Sequence, residues 1–302
     1  MTMLSLPTAV AARPGALTRF LQRNEGWRGH LLLAPALIVM AVAIIFPLGM
    51  TLTMSTWSLA GYDINQTPGL ENYVAMVENP MFRVLILRTV KVALTCTLVT
   101  VFLVYPMAYF VAFHTFRNKA LWLIILTLPF WTSYLLRVFA WKVVLGHEGV
   151  LNTGLMALGI VTEPVAALLY SQTAVIIVLA HSWAAFAILP IYVSLEKINR
   201  SYLEAAADLG DGPARRFWRI TFPLSLPGVV AAFILMFVPT MGEYITPLMV
   251  GGPDNMMIGN LVQSMFGPMN NWPAGAALAV VMMLTIALAG LVFIVLNKLV
   301  QR

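Results

Sequence analysis

EAAADLGDGPARRFWRITFP, Glu204 to Pro223, is a polar segment set between two long apolar ones. Ser201–Leu209 (SYLEAAADL) is rich in helix formers. Gly210 is placed to end that helix in a left-handed cap, with Gly212-Pro213 just beyond. The spacing predicts a short helix with a sharp exit, lying across a membrane face. Ala205, Ala206 and Ala207 let a partner approach closely. Glu204 and Asp208, four residues apart, share one face and can meet basic groups. Arg215, Arg216 and Arg219 follow on a second short amphipathic stretch, with Phe217 and Trp218 as interfacial anchors.

Composition explains why a membrane face is at issue. The chain has 302 residues, of which 60% are hydrophobic and only 10% charged, and its mean hydropathy is +0.86. Soluble domains carry about 25% charged residues. The runs Leu31–Met50, Val92–Phe113, Pro164–Leu195, Ile220–Gly242 and Asn255–Asn297 contain no Asp, Glu, Lys or Arg. Each supplies the roughly 20 residues that span a bilayer. Ala120–Leu145 is equally apolar but holds Arg137 and Lys142. The expectation is an all-α integral membrane protein with six spans, near 31–55, 90–113, 120–144, 173–196, 226–249 and 276–297. Only helices satisfy their own backbone in lipid over such lengths. Pro35, Pro47, Pro106, Pro129, Pro190, Pro239 and Pro247 lie inside these spans, where kinks rather than breaks are expected.

Basic residues orient the spans. Six spans place both termini, the 2–3 loop and the 4–5 loop on one side, which carries 13 of the 18 Lys and Arg. The positive-inside rule makes that side cytoplasmic. The +6 net charge is then a topology signal and says nothing of nucleic acid. Residues 1–30 read as a basic cytoplasmic tail and 31–302 as the membrane domain. In the tail, Ala16–His30 either lies on the surface as an amphipathic helix or is loosely ordered. The lone Cys96 reads as a packing residue, and His30, His114, His147 and His181 show no ligand spacing for a metal. No phosphate-binding loop is present, and no nucleophile–base pair stands out, so no enzyme and no bound cofactor are expected of this chain.

The opening stretch resembles the EAA loop of ABC importer permeases. The pattern EAA, three residues, Gly, nine residues, Ile-x-Leu-Pro is matched by Glu204-Ala205-Ala206, Gly210, Ile220 and Pro223, with Phe222 in place of the usual Leu. The resemblance implies a type I importer permease with a cytoplasmic coupling helix in the loop 197–225. Glu204, Ala205, Ala206, Asp208, Gly210, Ile220 and Pro223 then engage a separate ATPase. Two copies of that ATPase bind Mg-ATP, two permease subunits (usually different chains) form the pathway, and a solute-binding protein delivers ligand to the outer loops. A second group of motifs is similar to spermidine/putrescine-type permeases of the inner membrane: Leu128–Tyr134 with Arg137 and Trp141, Gly149–Asn152, Met241–Tyr244, Val250–Pro253, Met257–Asn260 and Asn271–Pro273. Related permeases carry other small amines, amino-acid derivatives or opine-like solutes. An ion-coupled secondary transporter is a distant alternative that would need a relay of ionisable groups.

Glu243 is the carboxylate at membrane depth, where a charge costs about 2.5–3.5 kcal/mol on insertion scales. Three placements are open: contact with a cationic substrate, an internal pair with Arg137, or a solvated interfacial position. Tyr244, Trp131, Tyr134 and Trp183 offer aromatic faces to a cation. The family resemblance places Arg137 in the same region without assigning it a role.

Overall fold

The computed structural model describes residues 25–61, 63–115 and 117–300. The chain divides into two compact units, one ending at Thr53 and the other beginning at Met54. The described part of the first is α1 (Glu25–Met54), which runs unbroken through Pro35 and Pro47. Its Leu32–Met54 portion is long and apolar enough to cross a membrane. Within the stretch expected to lie on the membrane surface, residues 16–24 fall outside the described residues, and Glu25–His30 form the start of α1.

The second unit opens with a small ribbon that the all-helical expectation lacked. β1 (Ser58–Ala60) pairs antiparallel with β2 (Asp63–Asn65), Leu59 opposite Ile64. Strands of three residues are too short to leave an alternating signature. Asn72, on α2 (Glu71–Glu78), fastens the ribbon by donating to the carbonyls of Ser55 (3.2 Å) and Trp57 (2.7 Å).

α3 (Pro80–Phe113) begins ten residues before the expected span. Asn79 caps it by accepting from the Met81 amide at 2.9 Å, and Pro80 fits the first turn, where no amide partner is needed. The third span is not one helix. α4 (Lys119–Thr127) passes into a 3-10 turn (Leu128–Trp131), and α5 (Tyr134–Val144) restarts at 85° to it. The kink expected at Pro129 is therefore a break, because Thr132 and Ser133 are extended. α6 (Val150–Ala157) follows. Asn152 on it is buried and clamps the loop, donating to the Gly146 carbonyl (3.1 Å) and accepting from the Val165 amide (2.9 Å).

α7 (Gln172–Glu196) is capped by Ser171 and runs through Pro190. Then come α8 (Arg200–Asp208), α9 (Pro213–Arg216), a π-helical turn (Phe217–Thr221) and α10 (Phe222–Met241). The last three form one continuous span, Pro213–Met241, of 29 residues. Span 5 thus starts 13 residues before the expected 226 and stops eight short of 249. Pro223 explains the π turn: lacking an amide, it cannot bond four residues back, and Phe222 reaches five residues back to the Phe217 carbonyl. After a second break at Gly242–Tyr244 and a π turn (Pro247–Gly251) come α11 (Ile258–Phe266) and α12 (Trp272–Val300). By length and composition, five helices can cross a membrane, or six if the bent α4–α5 pair counts as one.

α3, α7 and α10 form the core. Val104, Ala108, Ala187, Ile191, Leu195, Ala232 and Met236 are buried in one cluster between them. A second cluster joins Val92, Cys96, Val138, Val178 and Val250. The α7–α10 crossing is tight at Gly228, where a Cβ would lie 2.4 Å from the Pro190 carbonyl oxygen and 2.5 Å from the Ser194 Cβ. Neither neighbour is the far end of a flexible side chain. Replacing Gly228 by Ala is expected to destabilise the detergent-solubilised protein by roughly 1–3 kcal/mol, read as a lower thermal midpoint; an unchanged midpoint would show that the crossing yields at little cost.

Candidate functional site

α8 is built from local signals. Asn199 accepts from the Ser201 amide at 3.0 Å and starts the helix. At its other end the Gly210 amide donates to the Ala207 carbonyl (2.9 Å) and the Asp211 amide to the Ala206 carbonyl (2.9 Å). This pair of bonds is the Schellman motif, and it needs the left-handed backbone that Gly210 adopts at φ +86°. Ala206 is buried beneath the helix, while Tyr202, Glu204, Ala205, Asp208 and Leu209 are exposed. Leu209, 88% exposed, is the apolar tip of that face.

The segment after α8 ties it to span 5. Arg216 donates to the Leu203 carbonyl at 3.4 Å. Asp211 lies 3.3 Å from Arg215 and 3.6 Å from Arg219. Phe217 was expected at the lipid interface with Trp218; it turns inward instead. Its ring meets Tyr105 edge-on at 5.8 Å and Tyr109 at 6.0 Å, in the cluster beneath α7 and α10. Trp218 stays exposed. Consecutive residues of a helix point about 100° apart, so the two rings take different faces. Ile220 is half-buried and Pro223 exposed within the same turn and its exit.

The two breaks lie next to each other. Glu243, 9% exposed, uses Oε1 to accept from the amides of Ile245 (2.9 Å) and Thr246 (3.2 Å), the first amides of the helical turn beyond the break. The Thr246 hydroxyl pairs at 2.6 Å with the hydroxyl of Tyr134, the first residue of α5. Asn260 closes the far side of the break, donating to the Tyr244 carbonyl at 2.7 Å. Arg88 reaches from α3 to the carbonyls of Asp254 and Met256, and the Thr89 hydroxyl accepts from the Ile258 amide (2.9 Å).

Arg137, 8% exposed, serves the other break. Its guanidinium donates to the carbonyls of Phe130 (3.2 Å), Thr132 (3.0 Å) and, across the interface, Ser182 on α7 (3.1 Å). Carbonyls freed by the broken helix would otherwise stay unpaired at membrane depth. Among the described residues no ion pair joins Arg137 to Glu243, so the internal pairing weighed from sequence is not formed.

A cleft of about 370 Å³ opens between the span-3 break and α7, lined by Phe130, Thr132, Tyr134, Arg137, Ser182, Trp183 and Phe186. Three of the singled-out residues, Tyr134, Arg137 and Trp183, therefore come together, with the Tyr134 and Trp183 rings 6.5 Å apart. Glu243 is reached from Tyr134 through Thr246. Trp131, 82% exposed, does not line this cleft but a neighbouring cavity with Phe130, Ala185 and Phe186, and Tyr244 is partly exposed beside the span-5 break. Sequence reading passed over Thr246 and Ser182. Their only signal is a hydroxyl in an otherwise uncharged run. Asn260 was noticed as part of a motif, without the role its amide plays.

Comparison with known proteins gives the family. Residues 73–302 match the family described as binding-protein-dependent transport system inner membrane component. The chain is 33% identical to the spermidine/putrescine transport system permease protein PotB of Haemophilus influenzae, over 91% of this chain and 92% of that one. It is 34% identical to PotB of Escherichia coli over 77% and 84%, and 32% identical to the inner membrane ABC transporter permease protein YdcU of Escherichia coli over 95% of each. Two crystal structures share the fold at 16% identity. One is a bacterial ABC transporter involved in import of the acidic polysaccharide alginate, with a TM-score of 0.67 over 95% of this chain and 100% of that one. The other is the alginate transporter in complex with a periplasmic protein bound to an alginate pentasaccharide, with a TM-score of 0.70 over 95% and 99%. A capped helix of EAA sequence feeding directly into a membrane span, in a bundle of this fold, places the chain in one class: it belongs to the binding-protein-dependent inner membrane components, the multi-pass permease subunits of ABC importers.

Proposed function

We propose that this permease passes polyamines, putrescine or spermidine, through the cytoplasmic membrane under the control of a separate ATPase. Support for the substrate comes from the relatives named as spermidine/putrescine permeases, which align over most of the chain, and from a buried carboxylate beside aromatic rings at a helix break. A second permease chain completes the pathway. A solute-binding protein docks on the side opposite α8. Two ATPase copies bind Mg-ATP, and this chain itself holds no cofactor. Both termini and α8 face the cytoplasm, in keeping with the basic residues on that side.

The observation that carries the coupling role is the exposed face of α8, with Tyr202, Glu204, Ala205, Asp208 and Leu209 free on a helix whose other side is anchored. A groove on the ATPase takes this face. Closure of the ATPase dimer displaces α8, and the Arg216–Leu203 contact and the continuous 213–241 helix carry the displacement about 40 Å along span 5. The break that Glu243 caps lies at that helix's far end. The Thr246–Tyr134 bond then links it to the break in span 3. Alternating access follows when the two arrangements of these breaks differ in which side opens.

One observation favours a second substrate reading, an amino-acid derivative: Arg137 places a positive charge beside the cleft, with no carboxylate of the described residues within 4.0 Å of it.

Two measurements test the assignment. With the full complex and its binding protein in proteoliposomes, putrescine or spermidine should raise ATP hydrolysis several-fold over the unliganded state; stimulation by other solutes alone would discard the polyamine. Glu204→Lys reverses an exposed charge without touching the core. It should reduce uptake by more than about tenfold, on the order of 1.4 kcal/mol of lost docking, while the affinity for the binding protein stays as in the unaltered complex. Full uptake by that variant would remove α8 from the coupling path.

A further inference from the structure

The start of span 5 carries a basic cluster on its outer side. Asp211 holds one carboxylate oxygen 3.3 Å from Arg215 and the other 3.6 Å from Arg219, so two guanidiniums converge on a single anion. Their side chains stay 65% and 69% exposed. Among the described residues the two guanidiniums make one hydrogen bond, from Arg215 to Asp211, although each carries five N–H donors. Arg216 is not part of the cluster, because it turns to the Leu203 carbonyl. Two arginines against one carboxylate leave one positive charge in surplus. The cluster also sits where the span enters the bilayer. Ile220–Gly242 contains no charged residue, and the helix runs unbroken from Pro213 to Met241, so Arg219 is the last charge before the hydrocarbon. Trp218, 64% exposed, stands beside it, and an exposed Trp at such a boundary belongs at headgroup level. Further along, Leu224, Pro227, Leu235 and Val238 are exposed and recur at the spacing of one helix side.

We propose that Arg215 and Arg219 hold the phosphate of an anionic phospholipid at the α8 end of span 5, with Trp218 at the level of its glycerol and an acyl chain along Leu224 and Pro227. A phosphodiester brings one negative charge and two free oxygens, which suits two guanidiniums with one charge in surplus; the planar fork of Arg pairs with phosphate oxygens. A zwitterionic headgroup adds an ammonium to its phosphate and loses the net attraction. The lipid competes with Asp211 for the arginines. The Asp211 amide bonds the Ala206 carbonyl at the exit of α8 (2.9 Å), so the headgroup lies beside the last turn of that helix. The exposed acids of α8, Glu204 and Asp208, are left to the ATPase. An acidic patch on the ATPase would answer the arginines but not Trp218 and Leu224, which lead into the membrane. Assigning the lipid to the cytoplasmic leaflet rests on the orientation proposed above; the site itself needs only that span 5 crosses the bilayer.

The test uses the complete transporter, with ATPase and second permease, in nanodiscs doped with phosphatidylglycerol or phosphatidylcholine that carries the same photoreactive acyl chain. Mass spectrometry reads the yield of lipid crosslinked within residues 218–238, and the ratio of the two yields is the local preference. A several-fold preference for phosphatidylglycerol is expected. Arg215→Gln and Arg219→Gln should each lower it about fivefold, the contribution of one basic residue near an anionic surface, and the double variant should bring the ratio close to one. Arg117→Gln removes another exposed basic residue, in the 2–3 loop, and should leave the ratio unchanged. Inorganic phosphate, added at matched ionic strength, should also leave it unchanged; competition by phosphate would make the free ion the ligand and overturn the lipid. A ratio near one in the unaltered protein overturns the site. So does a ratio that survives both arginine variants, or one that falls equally with Arg117→Gln, which would reflect overall surface charge. Loss of the ATPase from the double variant, with the lipid preference intact, would assign the arginines to a protein contact and equally overturn it. Both arginines are exposed, so the single variants carry the comparison if the double variant does not assemble. An ATPase that never answers to a liganded binding protein would instead count against the importer reading, whatever the crosslinks show.

Discussion

A hydrocarbon environment offers backbone amides and carbonyls nothing to bond, so any interruption of a membrane helix must be repaired by the protein itself. This permease has two such interruptions, and each is repaired by a buried ionisable side chain. Arg137 gathers the carbonyls of Phe130, Thr132 and Ser182. Glu243 receives the amides of Ile245 and Thr246. The signs follow from the ends exposed: carbonyls take the cation, and helix-starting amides take the anion. The pairing of these two charges, one of three placements left open by the sequence, is therefore not formed, and each serves a separate backbone end.

The repairs also explain why the breaks stand together. Tyr134 starts the helix after one break and Thr246 lies in the turn after the other, and their hydroxyls meet at 2.6 Å. Two discontinuous spans with facing helix starts are an arrangement in which membrane transporters build solute sites, since irregular backbone is tolerated where it lines a cavity. At the opposite end of span 5, α8 sits on a capped turn with one face anchored and one free. One unbroken helix thus has an exposed capped helix at one end and the break that Glu243 caps at the other.

Much of this was legible in the chain. The apolar runs gave the spans, and Asn199, Gly210 and Gly212-Pro213 gave α8 to within a residue at each end, because capping is a matter of neighbours in sequence. Proline was misread at one position: Pro35, Pro47, Pro106 and Pro190 sit in unbroken helices as expected, while Pro129 marks a break. Nothing local distinguishes them. At the break beyond Pro129, Arg137 supplies donors to the carbonyls of Phe130 and Thr132 from the next helix. Phe217 was misplaced because its inward facing depends on distant partners, the rings of Tyr105 and Tyr109 on α3.

The sequence by itself therefore determined that the chain is a helical membrane protein of five or six spans with a short capped helix between two of them, because hydropathy, helix propensity and caps act over a few residues. Only the tertiary structure decided what Arg137, Glu243, Thr246 and Ser182 do. Tyr134 and Thr246 are 112 residues apart, and Arg137 and Ser182 are 45 apart. Whether a buried charge faces a substrate, another charge or a bare backbone end is set by which helices pack together, and α3, α7 and α10 fix that through contacts that no local pattern encodes.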